Sequence, residues 1–285
     1  MDFLLKKIFP IFLKTVPERL KDYFINLTIK QLKNTDVLNY AYNKIGILNW
    51  EGEGISGEKY VIEKKIKEIF KNKKRILNFD IGANIGGYCQ LLNESFPESE
   101  IYAFEPNPYT FEILKKNTQS SNIKIFNIGF GDKNKKSKIY TYKDDLISGH
   151  ASVYEKFKDV ISKDTAIKEV VALDINIKTI DSFCLEHGLN YLDFVKIDAE
   201  GSEYNIIKGA KNLIERNRIG VIQFEFNVTN ILSRTFLKDF YDILSSKYNF
   251  YRIDTCRLIA LGRYNSDNEI FKYQNIIVIN KFIDK

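Results

Sequence analysis

The chain has 285 residues, 44% hydrophobic and 28% charged, enough for one full α/β core with an appendage but not for two equal domains. Its formal net charge of +6 does not mark a nucleic-acid binder. The lysines are scattered or fall in short solvated runs, KNKKR at 71–75 and KNKKSK at 133–138, without an arginine-rich stripe or a known binding module, and the field equally suits a phosphorylated small substrate.

Residues 1 to about 48 read as helical, because Leu4, Ile8 and Phe12, then Leu20, Phe24 and Leu27, recur at three-to-four spacing among lysines. The expectation is an N-terminal helical extension over 1–54 that packs on the main domain or on a second copy in a homo-oligomer. Peripheral membrane contact through residues 1–30 is the alternative. Lys6, Lys7 and Pro10 break the first apolar run well short of a spanning helix and no cleavage site follows, so neither a transmembrane segment nor a signal peptide is expected. After the glycine-rich joint WEGEGISG at 50–57, EKYVIEKKIKEIFKNKK is an amphipathic helix.

Strands then alternate with helices: strands near 76–81, 100–104 and 123–128, helices near 86–95 and 108–117. This βαβ rhythm belongs to a doubly wound, mostly parallel sheet. A polar, hairpin-like insertion follows, KIYTY at 138–142 and EVVAL at 169–173, with a variable substrate loop at 144–168. The rhythm resumes with a strand at 193–198, a helix at 203–215, a strand at 220–226 and a helix at 235–246. FYRID, RLIAL and NIIVIN close the chain as strands, so the last is expected to insert antiparallel.

The segment ILNFDIGANIGG at 76–87 carries most of the chemistry. It is an apolar strand ending in Asp80 and running into a turn with Gly82, Gly86 and Gly87, but Asn84 stands where a dinucleotide turn needs bare backbone against a pyrophosphate. Asp80 would repel that pyrophosphate and would suit an ammonium and a sulfonium, the charges of S-adenosylmethionine (SAM). Glu105 ends the next strand about 20 residues beyond the glycines, where a carboxylate accepts hydrogen bonds from a ribose diol. Either acid alone could be a helix cap or a solvated loop acid.

A second constellation follows the strand DFVKID: Asp198, then Glu200, Gly201 and Glu203. Groups beyond the carboxyl ends of strands line the crevice of an open α/β sheet, so Asp198 and Glu200 should face the same cleft as Asp80 and Glu105. Glu203 reads equally as a favourable charge on a helix dipole, and Lys196 as an ion-pair partner at the core edge. Methyl transfer to a hydroxyl requires alignment and removal of a proton, for which Asp198, Glu200 and His150 are the candidates. A divalent cation held by Asp198 and Glu225, with Glu200 nearby, is the alternative. Cys89, Cys184 and Cys256 are far apart, without companion histidines at metal-ligand spacing, and read as reduced thiols of a cytoplasmic protein.

At these segments the chain resembles the FkbM family of SAM-dependent methyltransferases. The matching pieces are SGE at 56–58, NFDIGANIGGY at 78–88, YAFEPNP at 102–108, TIDSF at 179–183 and KIDAEGSEYNIIKGA at 196–210. The resemblance implies a class I methyltransferase, Rossmann-like fold over 55–285 and O-methylation of a hydroxyl on a sugar, a polysaccharide precursor or a polyketide. It implies SAM contacts from Asp80, Gly82, Asn84, Gly86, Glu105, Pro106 and Asn107, with Asp198 and Glu200 beside the reacting centre. Ala83 and Gly129 complete the expected cofactor set. The resulting expectation is a SAM-dependent O-methyltransferase acting on a carbohydrate hydroxyl, nucleotide-linked or in a polysaccharide precursor. The rivals are an NAD-dependent oxidoreductase, which Asp80 and Asn84 disfavour, and a non-catalytic scaffold that retains the fold.

Overall fold

Short runs rich in isoleucine, valine and phenylalanine, each closed by a turn, form the strands of an eight-stranded sheet. The computed structural model describes residues 34–49, 56–157 and 169–284, with isolated positions between 17 and 26. The chain divides into two units, residues 1–45 and 46–285. In the first, α1 (Asn34–Lys44) is a helix whose Lys44 lies over the Tyr40 ring at 5.1 Å. The membrane-surface reading of residues 1–30 falls almost entirely outside the described residues, as do most of the joint and residues 158–168 of the substrate loop. None of the described helices is long and apolar enough to cross a membrane.

The second unit runs through α2, built from Glu58–Tyr60, a π-helical Val61–Ile66 and Lys67–Ile69, then β1 (Leu77–Ile81), α3 (Gly87–Ser95), β2 (Glu100–Phe104), α4 (Pro108–Asn117), β3 (Ile123–Phe126), β4 (Gly129–Phe130) and β5 (Lys135–Tyr142). It continues with β6 (Val170–Lys178), α5 (Ile180–Glu186), β7 (Leu192–Ile197), α6 (Glu203–Lys208), α7 (Lys211–Glu215), β8 (Ile219–Phe226), α8 (Asn230–Ser233) and α9 (Leu237–Leu244). The chain closes with β9 (Tyr248–Asp254), β10 (Arg257–Ala260) and β11 (Gln274–Asn280). The sheet order is β10-β9-β11-β8-β7-β1-β2-β3. The five strands from β8 to β3 are mutually parallel, and β11 inserts antiparallel between β8 and β9 as the strand-rich ending predicted.

Two elements differ from expectation. The helix expected at 203–215 is broken into α6 and α7 at Gly209, whose backbone packs so closely on Gly131 that an added Cβ would stand 2.1 Å from its carbonyl oxygen. The hairpin-like insertion is larger than its apolar runs suggested. β5 and β6 pair antiparallel along their length, and β4 joins β6 to make a separate three-stranded sheet with a small core of Ile139, Ile175 and Ile177.

The parallel strands β1, β2, β7 and β8 are buried on both faces, the usual condition of a sheet covered by helices, and β3 at the sheet edge is only partly buried. One face carries Phe79, Ile81, Phe104, Val195 and Phe224. Phe183 of α5 stands edge-on there to Phe79, Phe104 and Phe130, with ring centroids 5.8, 4.9 and 5.8 Å away. The other face, packed with α2 and α3 residues, holds Ile101, Ala103, Phe194 and Val221, but also the polar residues Asn78, Asp80, Lys196 and Gln223, all buried. The chain builds β1, β2 and β3 outward in one direction and then returns to place β7 on the other side of β1. The topological switch, where open α/β sheets bind ligands, therefore lies between the tips of β1 and β7. Phe183→Ala, which would empty the centre of the aromatic cluster, is expected to cost about 3–5 kcal/mol of stability, read as a lowered urea midpoint with unchanged slope.

Candidate functional site

At the switch point the tips of β1 and β7 are in backbone contact. The Asp198 N–H donates to Ile81 O at 2.9 Å, and a Cβ added to Gly82 would fall 1.7 Å from Asp198 O. Glycine with φ +79° is the residue that permits this approach. The N–H groups of Gly82 and Ala83 both donate to Phe104 O, at 2.9 and 3.0 Å, which ties the turn to the end of β2. Glu105 bridges the same two turns: Oε2 accepts from Asn84 N at 2.9 Å and Oε1 from Asn107 N at 2.8 Å. Burial pushes its carboxyl up to about 7 against the opposing pull of those two bonds, and each oxygen keeps a lone pair for a ligand donor. Asn107 caps α4 through Tyr109 N and holds the substrate loop by donating to Leu146 O at 2.7 Å.

The acid turn after β7 faces these residues. Glu200 adopts φ +48° and Asn84 φ +47°, a left-handed conformation that asparagine tolerates and glutamate rarely adopts. Such backbone costs on the order of 1–3 kcal/mol and persists where its surroundings enforce it. Here Ser152 Oγ donates to Glu200 O at 2.8 Å, and Glu203 Oε1 accepts from Ala199 N and Gly201 N at 2.9 and 3.2 Å. Glu203 is thus a buried clamp of the turn, its carboxyl pushed up to about 8 by burial. The Glu200 side chain meets His150 Nδ1 at 3.3 Å. That hydrogen bond raises the His150 pKa above its ordinary 6.5, while burial raises that of Glu200.

Behind the turns lies the polar strip of the sheet. Asp80 is fully buried, receives the Cys89 thiol at 3.0 Å and faces Lys196 Nζ at 3.8 Å. Burial raises its pKa, opposed chiefly by the lysine. Lys196 also donates to Asp198 Oδ2 at 3.1 Å. Burial alone would lower the lysine's pKa, but Asp198 and Asp80 together hold it above the ordinary value. Next along the strip, Gln223 accepts from Tyr88 Oη at 3.1 Å and donates to Glu58 Oε1 at 3.1 Å, so the SGE segment joins the same network.

A cavity of about 570 Å³ opens between the two turns. Of the residues singled out in the sequence, Gly82, Asn84, Glu105, Pro106, Gly129, His150, Asp198, Glu200 and Glu225 line it. Asp80, Ala83, Gly86 and Asn107 are not among its lining residues. Asp80 is turned to Cys89 and Lys196, Ala83 is bonded to β2, and Asn107 supports Glu105 and the loop. Asp198 and Glu225 share the wall, yet among the described residues no group of three or more His, Cys, Asp or Glu is placed to hold a metal ion. Burial, then the charges of Asp198 and Glu200, push the Glu225 carboxyl well above its ordinary range. The sequence reading missed Thr110, whose buried Oγ1 has no hydrogen-bond partner among the described residues, the apolar wall from Ile139, Ile175 and Ile177, and Phe271, Lys272 and Tyr273 before β11. Thr110 three residues past Asn107 could have been found as a first-turn helix residue facing the β2 acid. Nothing local marks the others.

A parallel sheet with an antiparallel strand inserted next to β8, a glycine turn at its switch point and a carboxylate at the end of β2 defines the class I SAM-dependent methyltransferase fold. The methyltransferase FkbM domain profile matches residues 80–251, and the chain belongs to that family. Curated relatives include methyltransferase sdnD of Sordaria araneosa, 27% identical over 46% of this chain and 58% of the relative. Another is 2-O-methyltransferase NoeI of Sinorhizobium fredii, 22% identical over 49% of this chain and 59% of the relative. Hexuronic acid methyltransferase AglP of Haloferax volcanii is 23% identical over 63% of this chain and 67% of the relative. The chain thus spans about three-fifths of the length of the first curated relatives it matches.

The cavity's donor set fits SAM: a carboxylate with free lone pairs at the end of β2, an unpartnered Thr110 hydroxyl and the apolar residues Pro106, Ile128 and Phe130 suit a nucleoside. A ribose diol donates to an ionised carboxylate better than to a neutral acid. SAM affinity is therefore expected to be highest above pH 7 and to weaken as pH falls through about 7, where Glu105 takes up its proton. Glu105→Gln should weaken SAM binding and flatten that dependence, as measured by calorimetric titration from pH 5.5 to 8.5.

Proposed function

We propose that the protein transfers a methyl group from SAM to a hydroxyl of a carbohydrate, nucleotide-linked or within a polysaccharide precursor, in a reducing, cytoplasmic setting. The observation that carries the reading is the His150 and Glu200 pair on the wall that Asp198 shares with the Glu105 turn. The pair supports a reading in which one cavity holds both a proton acceptor and a nucleoside cradle. The relatives NoeI, a 2-O-methyltransferase, and AglP, a hexuronic acid methyltransferase, support the oxygen and the sugar. Free cysteines at 89, 184 and 256 support the compartment.

SAM, when bound, supplies an electrophilic methyl group. Glu105 holds its ribose diol, with Asn84, Gly82, Pro106 and Gly129 shaping the pocket around the nucleoside. His150 stands on the loop that Asn107 and Ser152 tie to the two turns. With the Nδ1 proton directed to Glu200, its Nε2 is the acceptor for the hydroxyl proton, and Glu200 stabilises the imidazolium that results. Glu225 and Asn227 offer hydrogen bonds to the neighbouring hydroxyls of a sugar. A positioned base of this kind contributes about 10²- to 10⁴-fold.

The pH profile tests the base. His150 works only when neutral, so the rate should be high above its raised pKa and fall as pH drops through it. Glu200→Gln removes the partner that raises that pKa, so the acid limb should move to lower pH while the plateau rate falls about 10- to 100-fold. The assay is transfer of labelled methyl from SAM to a panel of nucleotide sugars and uronic oligosaccharides, with and without chelator. An acid limb that stays in place in the glutamine variant rules out His150 as the base, and transfer only to non-sugar hydroxyls rules out the acceptor class.

A further inference from the structure

Lys196 is the single lysine among the described residues whose side chain the fold buries. It sits in the middle of the sheet, paired in register with Asp80 of β1 and Gln223 of β8, with its ammonium 5.0 Å from the centre of the Tyr88 ring. The charges that face it are Asp80 at 3.8 Å and Asp198 at 3.1 Å, with Glu58 reached through Gln223. The two aspartates differ in one respect. Asp80 is fully buried and shut off from the cavity, whereas the Asp198 side chain is about one-third exposed and lines it.

We infer that Lys196 is a positioning residue for the methyl donor: by binding Oδ2 of Asp198 it fixes that carboxylate at the cavity wall, with the other oxygen presented to the cationic amino-acid end of SAM. The inference rests on the reading of the cavity as a SAM site and assigns to Asp198 the ammonium-binding role that the sequence alone gave to Asp80. Among the described residues Asp198 Oδ1 takes no protein partner, and the Asp198 backbone is already immobilised by Ile81 O and by the close approach of Gly82. The lysine adds the one remaining constraint, on side-chain rotation. A buried ammonium between two carboxylates costs desolvation. Neutralising Asp80 alone would not require it to reach the cavity wall.

The rival explanation is that Lys196 merely compensates the buried charge of Asp80, and paired substitutions separate the two. Lys196→Met should lower the melting temperature, because it strands Asp80 without its cation. The double variant Lys196→Met with Asp80→Asn removes both charges and should melt within a few degrees of Asp80→Asn alone. If Lys196 positions Asp198, the double variant still binds SAM about tenfold or more weakly while binding 5′-methylthioadenosine, which lacks the amino-acid end, as the wild type does. Asp198→Asn should reproduce that loss, and adding the other two substitutions to it should change SAM affinity little, since groups acting as a unit are non-additive. Wild-type SAM affinity in the double variant would overturn the inference. Should that variant not fold, Lys196→Arg decides: a several-fold loss of SAM affinity at unchanged melting temperature supports the role, and wild-type affinity overturns it. If the wild-type protein binds 5′-methylthioadenosine and SAM equally, the nucleoside site stands and the Asp198 role falls. If it binds neither, the donor reading itself falls, and this role with it.

Discussion

Backbone contact between the tips of β1 and β7 is the constraint on which the site depends. With no room for even a methyl group between Gly82 and the Asp198 carbonyl, the glycine turn and the acid turn are locked at one spacing. Glu105 and Glu200 are each held by one of these turns. Glu105 is held by the N–H groups of Asn84 and Asn107, Glu200 by Ser152 and the Glu203 clamp. The substrate loop bridges both, since Leu146 is tied to Asn107 and His150 reaches Glu200. The cavity is therefore a property of strand packing, with loops as fittings.

The second governing feature is an excess of buried acid. Asp80, Glu105, Glu200, Glu203 and Glu225 all have carboxyls raised by burial, and Lys196 with His150 supplies the positive charge near them. The members of this set that line the cavity, Glu105, Glu200 and Glu225 with Asp198 beside them, favour a ligand that brings positive charge over one that brings negative charge. A positively charged methyl donor meets that condition and an anionic dinucleotide does not; of the two residues from which the sequence drew that distinction, Asn84 lines the cavity and Asp80 does not.

Much of this was legible before any coordinates, for a local reason. The strand, turn and helix at 76–95 and the strand with Glu105 are written in contiguous residues, and their glycines and acids act on neighbours a few positions away. Glu105 could be placed because its partners, Asn84 and Asn107, are turn residues fixed by the same pattern. Asp80 could not be placed, because whether it faces the cavity or Lys196 is decided by cross-strand register between segments more than a hundred residues apart. Tyr273, Lys272 and Phe271 reach the wall only because β11 inserts beside β8, which no periodicity reveals. The close approach of Gly209 to Gly131, a residue of the strand-rich insertion, likewise joins segments far apart in the chain.

The three-stranded sheet has a further consequence. It has its own small core and meets the main fold at short connections near Gly129 and Thr179, yet Ile139, Ile175 and Ile177 form part of the cavity wall. Strands β5 and β6 also flank the loop that carries His150, and Ser152 of that loop pairs with Tyr140 of β5 while its hydroxyl holds Glu200. A single added panel thus reaches the cavity twice, through its isoleucines and through the loop between its strands, so a change in how those strands pair is felt at both places.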